Sequence, residues 1–123
     1  MSMLLFHKDH CWVRTEGNTG TIGISDFAQN QMGQIIYVEL PEIGRELTAG
    51  EEFGAIESNK TTSDLIAPVS GEVLEANGSL EDDPTPINSS PYDRGWIARV
   101  KLTRPAELDG LLAEADYRRQ VTG

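Results

Sequence analysis

Residues 53–68 read FGAIESNKTTSDLIAP, and this stretch predicts two strands joined by a short turn. Apolar residues mark the two arms, whereas the residues on either side of Lys60 are small or polar, as is common in turns. Because turns lie at the surface, the Lys60 side chain is expected to project into water. The stretch therefore predicts a β-hairpin that presents one lysine at its tip.

Similar short segments recur on both sides of this hairpin, each bounded by Gly, Pro or Asn. Short strands separated by tight turns predict a mainly β sandwich or barrel. The predicted strands are Cys11 to Thr15, Gly20 to Ile24, Ile35 to Leu40, Glu52 to Glu57, Asp64 to Ala67, Glu72 to Ala76 and Trp96 to Leu102.

Two segments favour helices instead. Ser25 is a good N-terminal cap for a short helix that Gly33 would end. A second helix, packed on the sheet, is predicted near the C-terminus from apolar residues at helical spacing after Thr103 and Pro105. The apolar positions of the C-terminal helix are Leu108, Leu111, Leu112 and Ala115.

Residues 81–95 contain three prolines and are expected to form a long loop.

Length and composition limit the class of protein. A chain of 123 residues that is 38% hydrophobic suits a single domain over residues 1–123. Its 20 acidic and 10 basic residues give a net charge of −10, which disfavours nucleic acids and anionic membranes as partners. Cys11 is the only cysteine, which favours a reducing compartment and hence the cytoplasm, and the apolar run at residues 3–6 is too short for an export signal or a membrane span.

Common catalytic signatures are missing from the sequence. It has no phosphate-binding glycine-rich loop, no paired cysteines for zinc and no Gly-x-Ser-x-Gly motif. His7, His10 and Cys11 are three potential ligands without a fourth, so a metal site is a weak hypothesis. Lys60 is one of only three lysines, but spacing alone does not distinguish an attachment site from an ordinary solvated charge.

Stretches spread along the chain distinguish these alternatives. They are GTIGISDFAQ at 20–29, VELP at 38–41, IES at 56–58, SD at 63–64, APVSGEV at 67–73, PY at 91–92, GW at 95–96 and AEL at 106–108. Through these stretches the sequence resembles the glycine cleavage H-protein family of lipoyl carriers over nearly its whole length. The resemblance implies a lipoyl-domain fold, a barrel-sandwich hybrid of two small packed sheets with short flanking helices, including one at the C-terminus.

The same resemblance implies a function. Lys60 would be the lipoylated residue. Glu57 and Asp64 would be recognised by the enzyme that attaches lipoate, which is a lipoyl or octanoyl transferase or a lipoate ligase. The arm would take an aminomethyl group from the pyridoxal-phosphate glycine decarboxylase to the folate-dependent aminomethyltransferase, and dihydrolipoyl dehydrogenase would reoxidise it. The chain itself would be a non-catalytic carrier.

One departure from the family pattern concerns the cleft that would shelter the loaded arm. The family usually has an acidic residue between the histidine and the tryptophan, whereas this chain reads His10-Cys11-Trp12. The arm-docking cleft is expected to include Asp9, His10, Cys11 and Gln31. Either Asp9, Gln31 and Asp64 hold the loaded arm, which we favour, or the chain is a divergent relative that mainly receives and relays lipoyl groups.

Other hypotheses stay open at this point. A biotinyl carrier uses the same hairpin lysine, but that family generally places Met on both sides of it, where this chain has Asn59 and Thr61. An unmodified interaction module would keep the fold without a cofactor. Cys11 either forms a mixed disulfide with the lipoyl sulfur or, as we favour, is a small buried apolar residue beside Trp12.

Overall fold

The computed structural model describes residues 3–122, in which ten short strands are the main secondary structure. The strands are β1 (Met3–Phe6), β2 (Cys11–Glu16), β3 (Thr19–Ile24), β4 (Ile35–Glu39), β5 (Glu46–Leu47), β6 (Glu52–Ser58), β7 (Thr62–Ile66), β8 (Gly71–Ala76), β9 (Ala98–Leu102) and β10 (Leu112–Ala113).

These strands form two antiparallel sheets. The larger sheet has the order β10-β1-β2-β3-β9-β8-β5, and the smaller has the order β4-β6-β7. The main core contains Val13 and Val100 from the larger sheet and Ile56 and Leu65 from the smaller one, so it lies between the two. The predicted fold, two packed sheets with short flanking helices, is confirmed.

Alternation along β2 creates a second, smaller core. Successive side chains of a strand point to opposite faces. Cys11 and Val13 therefore enter the main core, whereas Trp12 packs with Phe6 and Tyr117 on the other face. This aromatic cluster attaches the C-terminal helix to the sheet.

The first helix, α1 (Asp26–Met32), forms as the sequence predicts. The Ser25 side chain accepts a hydrogen bond from the Ala28 N–H at 3.1 Å, and Gly33 ends the helix at a φ of 85°. Residues 81–95 contain no strand, but the loop predicted there includes the end of one short helix and the whole of another. These are α2 (Ser79–Asp82) and α3 (Pro86–Ser89).

The position predicted for the C-terminal helix is wrong. Residues Pro105–Gly110 form a 3-10 helix, β10 follows, and the helix α4 (Glu114–Thr122) begins only there. Thr103 caps neither helix. Leu112 pairs with Phe6, because the open edge of β1 offers backbone groups that complete this segment's hydrogen bonds better than one more helical turn. The apolar positions at helical spacing therefore do not share one helix: Leu108 lies in the 3-10 helix, Leu111 follows it, Leu112 lies in β10 and Ala115 in α4.

Candidate functional site

The hairpin formed by β6 and β7 ends in a turn that the Ser58 side chain organises. Glu57 pairs with Thr62 in the last registered rung before the turn. Ser58 Oγ accepts hydrogen bonds from the Lys60 and Thr61 N–H groups, each at 3.1 Å, and the Ser58 N–H donates to the Thr61 carbonyl at 2.8 Å. Lys60 is exposed, and the backbone that carries it is held on both sides.

The turn is also attached to the end of α1. The Asn59 N–H donates to the Gln34 carbonyl at 3.0 Å. The Lys60 side chain lies against Gly33, because its Cε is 2.9 Å and its Nζ 3.5 Å from the point where a Cβ on Gly33 would be. The missing side chain at Gly33 thus leaves the space that the Lys60 stem occupies.

Position in the fold, and not exposure, sets Lys60 apart from Lys101. Lys8 and Lys101 are exposed as well. Lys101 lies within β9, between Thr19 of β3 and Glu72 of β8, so neighbouring strands flank it. Lys60 lies beyond the last paired residues of its hairpin, and Lys8 lies in the corresponding turn between β1 and β2.

A cavity of about 240 Å³ lies between the start of β2, α1 and the hairpin strands. The four residues predicted for the arm-docking cleft all line it, and so does Asp64, whereas Glu57 does not. A larger cavity of about 550 Å³, between α1 and α4, contains none of the predicted site residues. The lining of the smaller cavity consists of Asp9, His10, Cys11, Ile24, Phe27, Ala28, Gln31, Met32, Ile56, Ser63, Asp64 and Leu65.

Asp9 supplies this cavity with a carboxylate whose one ion-pair contact among residues 3–122 is with the imidazole ring of His7. Its Oδ2 lies 3.4 Å from His7 Nδ1, but the same nitrogen accepts a hydrogen bond from the Asp9 N–H at 3.1 Å and therefore carries no proton. Burial also lowers the pKa of His7, against the opposing effect of Asp9. The Asp9 side chain is 47% exposed, so an ammonium group of a ligand can reach its carboxylate.

Asp64 borders the cavity, but its carboxylate also contacts Glu52. A hydrogen bond to Asp64 is the main reason that the pKa of Glu52 is raised, and repulsion between the two carboxylates adds to it. Asp64 lies opposite Ala55 on β6, two residues from Glu57, so alternation puts Asp64 and Glu57 on one face of the smaller sheet. Both are exposed there, close to the turn.

Cys11 is enclosed. Its side chain is 2% exposed, and burial raises its pKa to about 12. A thiol that stays protonated is a poor nucleophile, so these properties disfavour a mixed disulfide and favour the apolar interpretation of Cys11.

Sequence reasoning missed the residues that support His10. His10 adopts a φ of 76°, and its Nδ1 lies 2.7 Å from the Tyr117 hydroxyl, which in turn lies 2.7 Å from Ser25 Oγ. The sequence indicates Ser25 as a helix cap, but no local pattern connects residue 10 with a helix more than 100 residues later. Nor does the sequence show that Gly33 contacts Lys60.

Residues 3–122 contain neither a group of potential metal ligands nor a helix suited to a membrane. Across that range, no three His, Cys, Asp or Glu side chains are grouped so that they could hold a metal ion. No helix in the described part of the chain is both long and apolar enough to cross a membrane.

Comparisons with known proteins agree on one family. The family model described as "Glycine cleavage H-protein" matches residues 4–123. A glycine cleavage system H protein from Symbiobacterium thermophilum is 54% identical over 114 residues, which are 93% of this chain and 89% of that protein. One from Staphylococcus haemolyticus is 48% identical over 120 residues, covering 98% and 95% of the two chains.

A solved structure extends this similarity to the fold. The crystal structure of a glycine cleavage system H protein from Mycobacterium marinum superposes with a TM-score of 0.88 at 36% identity. The match covers 96% of this chain and 95% of that one.

Proposed function

The chain belongs to the glycine cleavage H-protein family, and from this membership we propose that Lys60 carries the lipoyl group. The chain is the lipoyl carrier of glycine cleavage and acts with the other components of that system. The observation that carries the assignment of Lys60 is its place in an ordered, exposed turn beside the end of α1, whose residues Gln31 and Met32 line the neighbouring cavity.

The residues around this cavity fit a lipoyl arm. Gly33 leaves room for the stem of Lys60, and apolar side chains such as Phe27, Met32 and Leu65 match an aliphatic chain that ends in a dithiolane. When bound, lipoate supplies a disulfide that accepts an aminomethyl group and is regenerated by thiol–disulfide exchange. The protein supplies attachment, shelter and orientation.

Asp9 is proposed to bind the cationic end of the loaded arm. Its carboxylate borders the cavity without a cationic partner among residues 3–122, whereas Cys11 beside it is neutral and the Asp64 carboxylate also contacts Glu52. Gln31 adds a polar side chain on α1. These residues favour ordinary shuttling over the alternative of a divergent chain that only receives and relays lipoyl groups.

The partners proposed in detail are those that the family uses. They are the pyridoxal-phosphate glycine decarboxylase, the folate-dependent aminomethyltransferase, dihydrolipoyl dehydrogenase, and the transferase or ligase that attaches lipoate. Glu57 and Asp64 are proposed as the acids that the attaching enzyme reads, because both are exposed on the hairpin face. We also propose that the chain is one cytoplasmic, non-catalytic domain over residues 1–123.

Intact-mass measurement tests the attachment site. The purified chain is incubated with a lipoate ligase, lipoate and ATP, beside Lys60→Arg and the matched control Lys101→Arg, which changes another exposed lysine. A single lipoyl increment is expected on the parent chain and on Lys101→Arg, and none on Lys60→Arg. Modification of Lys60→Arg, or no lipoyl increment on the parent chain, would contradict the assignment.

The chain isolated from its native source separates the remaining alternatives by mass. A lipoyl increment supports the carrier function. A biotinyl increment would instead support the biotin carrier, and no increment would support the unmodified interaction module.

A further inference from the structure

We propose that Tyr117 of the C-terminal helix is a positioning residue for His10, which it holds in the tautomer that directs an Nε2–H donor to the arm-docking cavity. The inference extends the proposed function, because the acceptor that this donor meets would be an uncharged atom of the docked lipoyl arm. It links α4, which contributes nothing to the cavity lining, to the chemistry of the cleft.

The Tyr117 hydroxyl is fixed in position. Tyr117 is 3% exposed, and its ring stacks on Phe6 with centroids 4.4 Å apart and planes 6° apart. The hydroxyl oxygen lies 2.7 Å from His10 Nδ1 and 2.7 Å from Ser25 Oγ. If both partners donated to this oxygen, the buried Tyr117 hydrogen would have no acceptor among the contacts of the described residues. The hydroxyl therefore donates to one partner and accepts from the other.

The direction of the hydrogen bonds that link Ser25, Tyr117 and His10 follows from which hydroxyl hydrogens find an acceptor. Ser25 is fully buried, and its Oγ already accepts the Ala28 N–H. If the Ser25 hydroxyl donates to Tyr117, then Tyr117 donates to His10 Nδ1, and every hydroxyl hydrogen has an acceptor. In the opposite direction the Ser25 hydrogen has no acceptor among the contacts of the described residues, which is costly for a buried donor.

With Nδ1 as an acceptor, the single proton of the neutral ring is on Nε2. Burial lowers the pKa of His10, against the opposing effect of Asp9, so the ring is neutral at neutral pH. The ring lies 5.2 Å from that of Phe27, a lining residue of the cavity that His10 itself borders. The backbone is held as well, by the His10 N–H bond to the His7 carbonyl and the Ser25 N–H bond to the His10 carbonyl.

In this tautomer, His10 and Asp9 bind different parts of the docked arm. An Nε2–H group binds an acceptor and cannot accept a hydrogen bond from an ammonium group. Asp9 therefore remains the acceptor for the cationic end of the arm, and His10 orients an uncharged acceptor such as the amide oxygen or a sulfur.

Nitrogen NMR on the unmodified chain tests the tautomer directly. The parent chain should show His10 Nε2 protonated and Nδ1 as a hydrogen-bonded acceptor. Tyr117→Phe, which keeps the ring on Phe6, should lose the hydrogen-bond shift at Nδ1 and gain the other tautomer. Tyr92→Phe is the matched control, because its hydroxyl accepts from the Asp26 N–H and does not touch His10, and it should match the parent.

Protonated Nδ1 in the parent chain would overturn the proposal, and so would an unchanged His10 spectrum in folded Tyr117→Phe. The parent spectrum decides the tautomer even if that variant does not fold. This measurement needs no lipoate, so it stands apart from the mass test of Lys60.

A second measurement uses the lipoylated chain after the decarboxylase has released CO2 from glycine and transferred the remaining aminomethyl group to a lipoyl sulfur. Without the folate enzyme, water releases formaldehyde and ammonia from the loaded arm. This release should be about fivefold faster in Tyr117→Phe and His10→Asn than in the parent chain or Tyr92→Phe, the factor that one ordinary hydrogen bond supplies. Equal release rates in all four chains would overturn the role of His10 toward the arm.

Discussion

The Lys60 side chain lies across Gly33, with its Cε 2.9 Å from the point where a Cβ on that glycine would be. Gly33 also has a φ of 85° and a ψ of −158°, a combination that is essentially restricted to glycine. Two separate constraints thus favour glycine at the end of α1, and a substitution there distinguishes between them.

Gly33→Ala is expected to lower the free energy of unfolding by about 2 kcal/mol, measured by urea denaturation. The backbone conformation should account for most of this loss, because the end of a lysine side chain moves aside at little cost. Lys60→Ala in the Gly33→Ala background should then recover less than about 0.5 kcal/mol.

Gly17→Ala is the matched control, since Gly17 has a φ of 63° and no atom within 4 Å of an added Cβ. Its backbone lies in the left-handed region, which is open to other residues at a smaller cost, so the expected loss is about 1 kcal/mol. A full recovery of stability in the Gly33→Ala, Lys60→Ala double variant would show that the side-chain contact dominates instead.

Ser58→Ala should loosen the turn that presents Lys60. The change removes the acceptor of two N–H groups, so the free energy of unfolding is expected to fall by about 1–2 kcal/mol. The Lys60 and Thr61 amides should exchange with deuterium faster, as read by NMR. Ser63→Ala, whose Oγ makes one long bond to the Asp64 carbonyl at 3.4 Å, should leave both rates unchanged. Equal exchange rates of these amides in the two variants would show that the Ser58 side chain does not stabilise the turn.

The hairpin could be predicted from the sequence because its information is local. Small polar residues mark the turn around Lys60, and Ser25 and Gly33 mark the two ends of α1. Strand β1 was not predicted, because a four-residue apolar run has no period that separates a strand from any other buried segment. The helix expected after Pro105 was misplaced because β10 depends on the edge of β1, about 100 residues away.

The candidate site likewise combines residues that the sequence indicates with contacts that depend on how distant segments pack. The resemblance supplied the candidates for the cleft, and the structure brings Asp9, His10, Cys11 and Gln31 to one cavity. The contacts of His10 with Tyr117 and of Lys60 with Gly33 depend on how distant segments pack, and no spacing in the sequence reports them. The contact between Asp64 and Glu52 likewise depends on the register of β6 and β7.

Cys11 should make the stability of the fold sensitive to alkaline pH. Burial raises its pKa in the folded chain to about 12 from an ordinary value of 9.0. Above about pH 9 the unfolded chain loses this proton while the folded chain keeps it, so the free energy of unfolding falls as the pH rises toward 12. Below pH 9 the contribution of the buried thiol is fully present.

Urea denaturation under reducing conditions measures this effect. Between about pH 8 and pH 10 the parent chain should lose about 1 kcal/mol more stability than Cys11→Ala. The comparison cancels the contributions of Tyr92 and Tyr117, whose pKa values burial also raises. The same pH dependence in both chains would show that the Cys11 thiol ionises equally readily in the folded and unfolded states.

Asp9 and Cys11 line the same cavity, so a carboxylate can be exchanged between the two positions. Asp9→Asn should lower the decarboxylase-dependent exchange of glycine carboxyl carbon with bicarbonate about tenfold, because a charge-assisted hydrogen bond to the arm is lost. Cys11→Glu in the Asp9→Asn background should restore most of that rate, since its carboxylate enters the cavity from β2. Cys11→Gln in the same background adds a side chain of the same size as Glu but without its charge, so it should not restore the exchange rate.

In the parent background Cys11→Glu should bring no gain, because Asp9 already provides the charge. The opposite pattern, in which Asp9→Asn changes nothing and Cys11→Glu alone raises a low rate of exchange, would mean that this cavity lacks an effective carboxylate. The chain would then be the divergent relative that receives and relays lipoyl groups. Circular dichroism of each variant shows whether the added carboxylate leaves the fold intact, so that a lost rate reports the cleft and not unfolding.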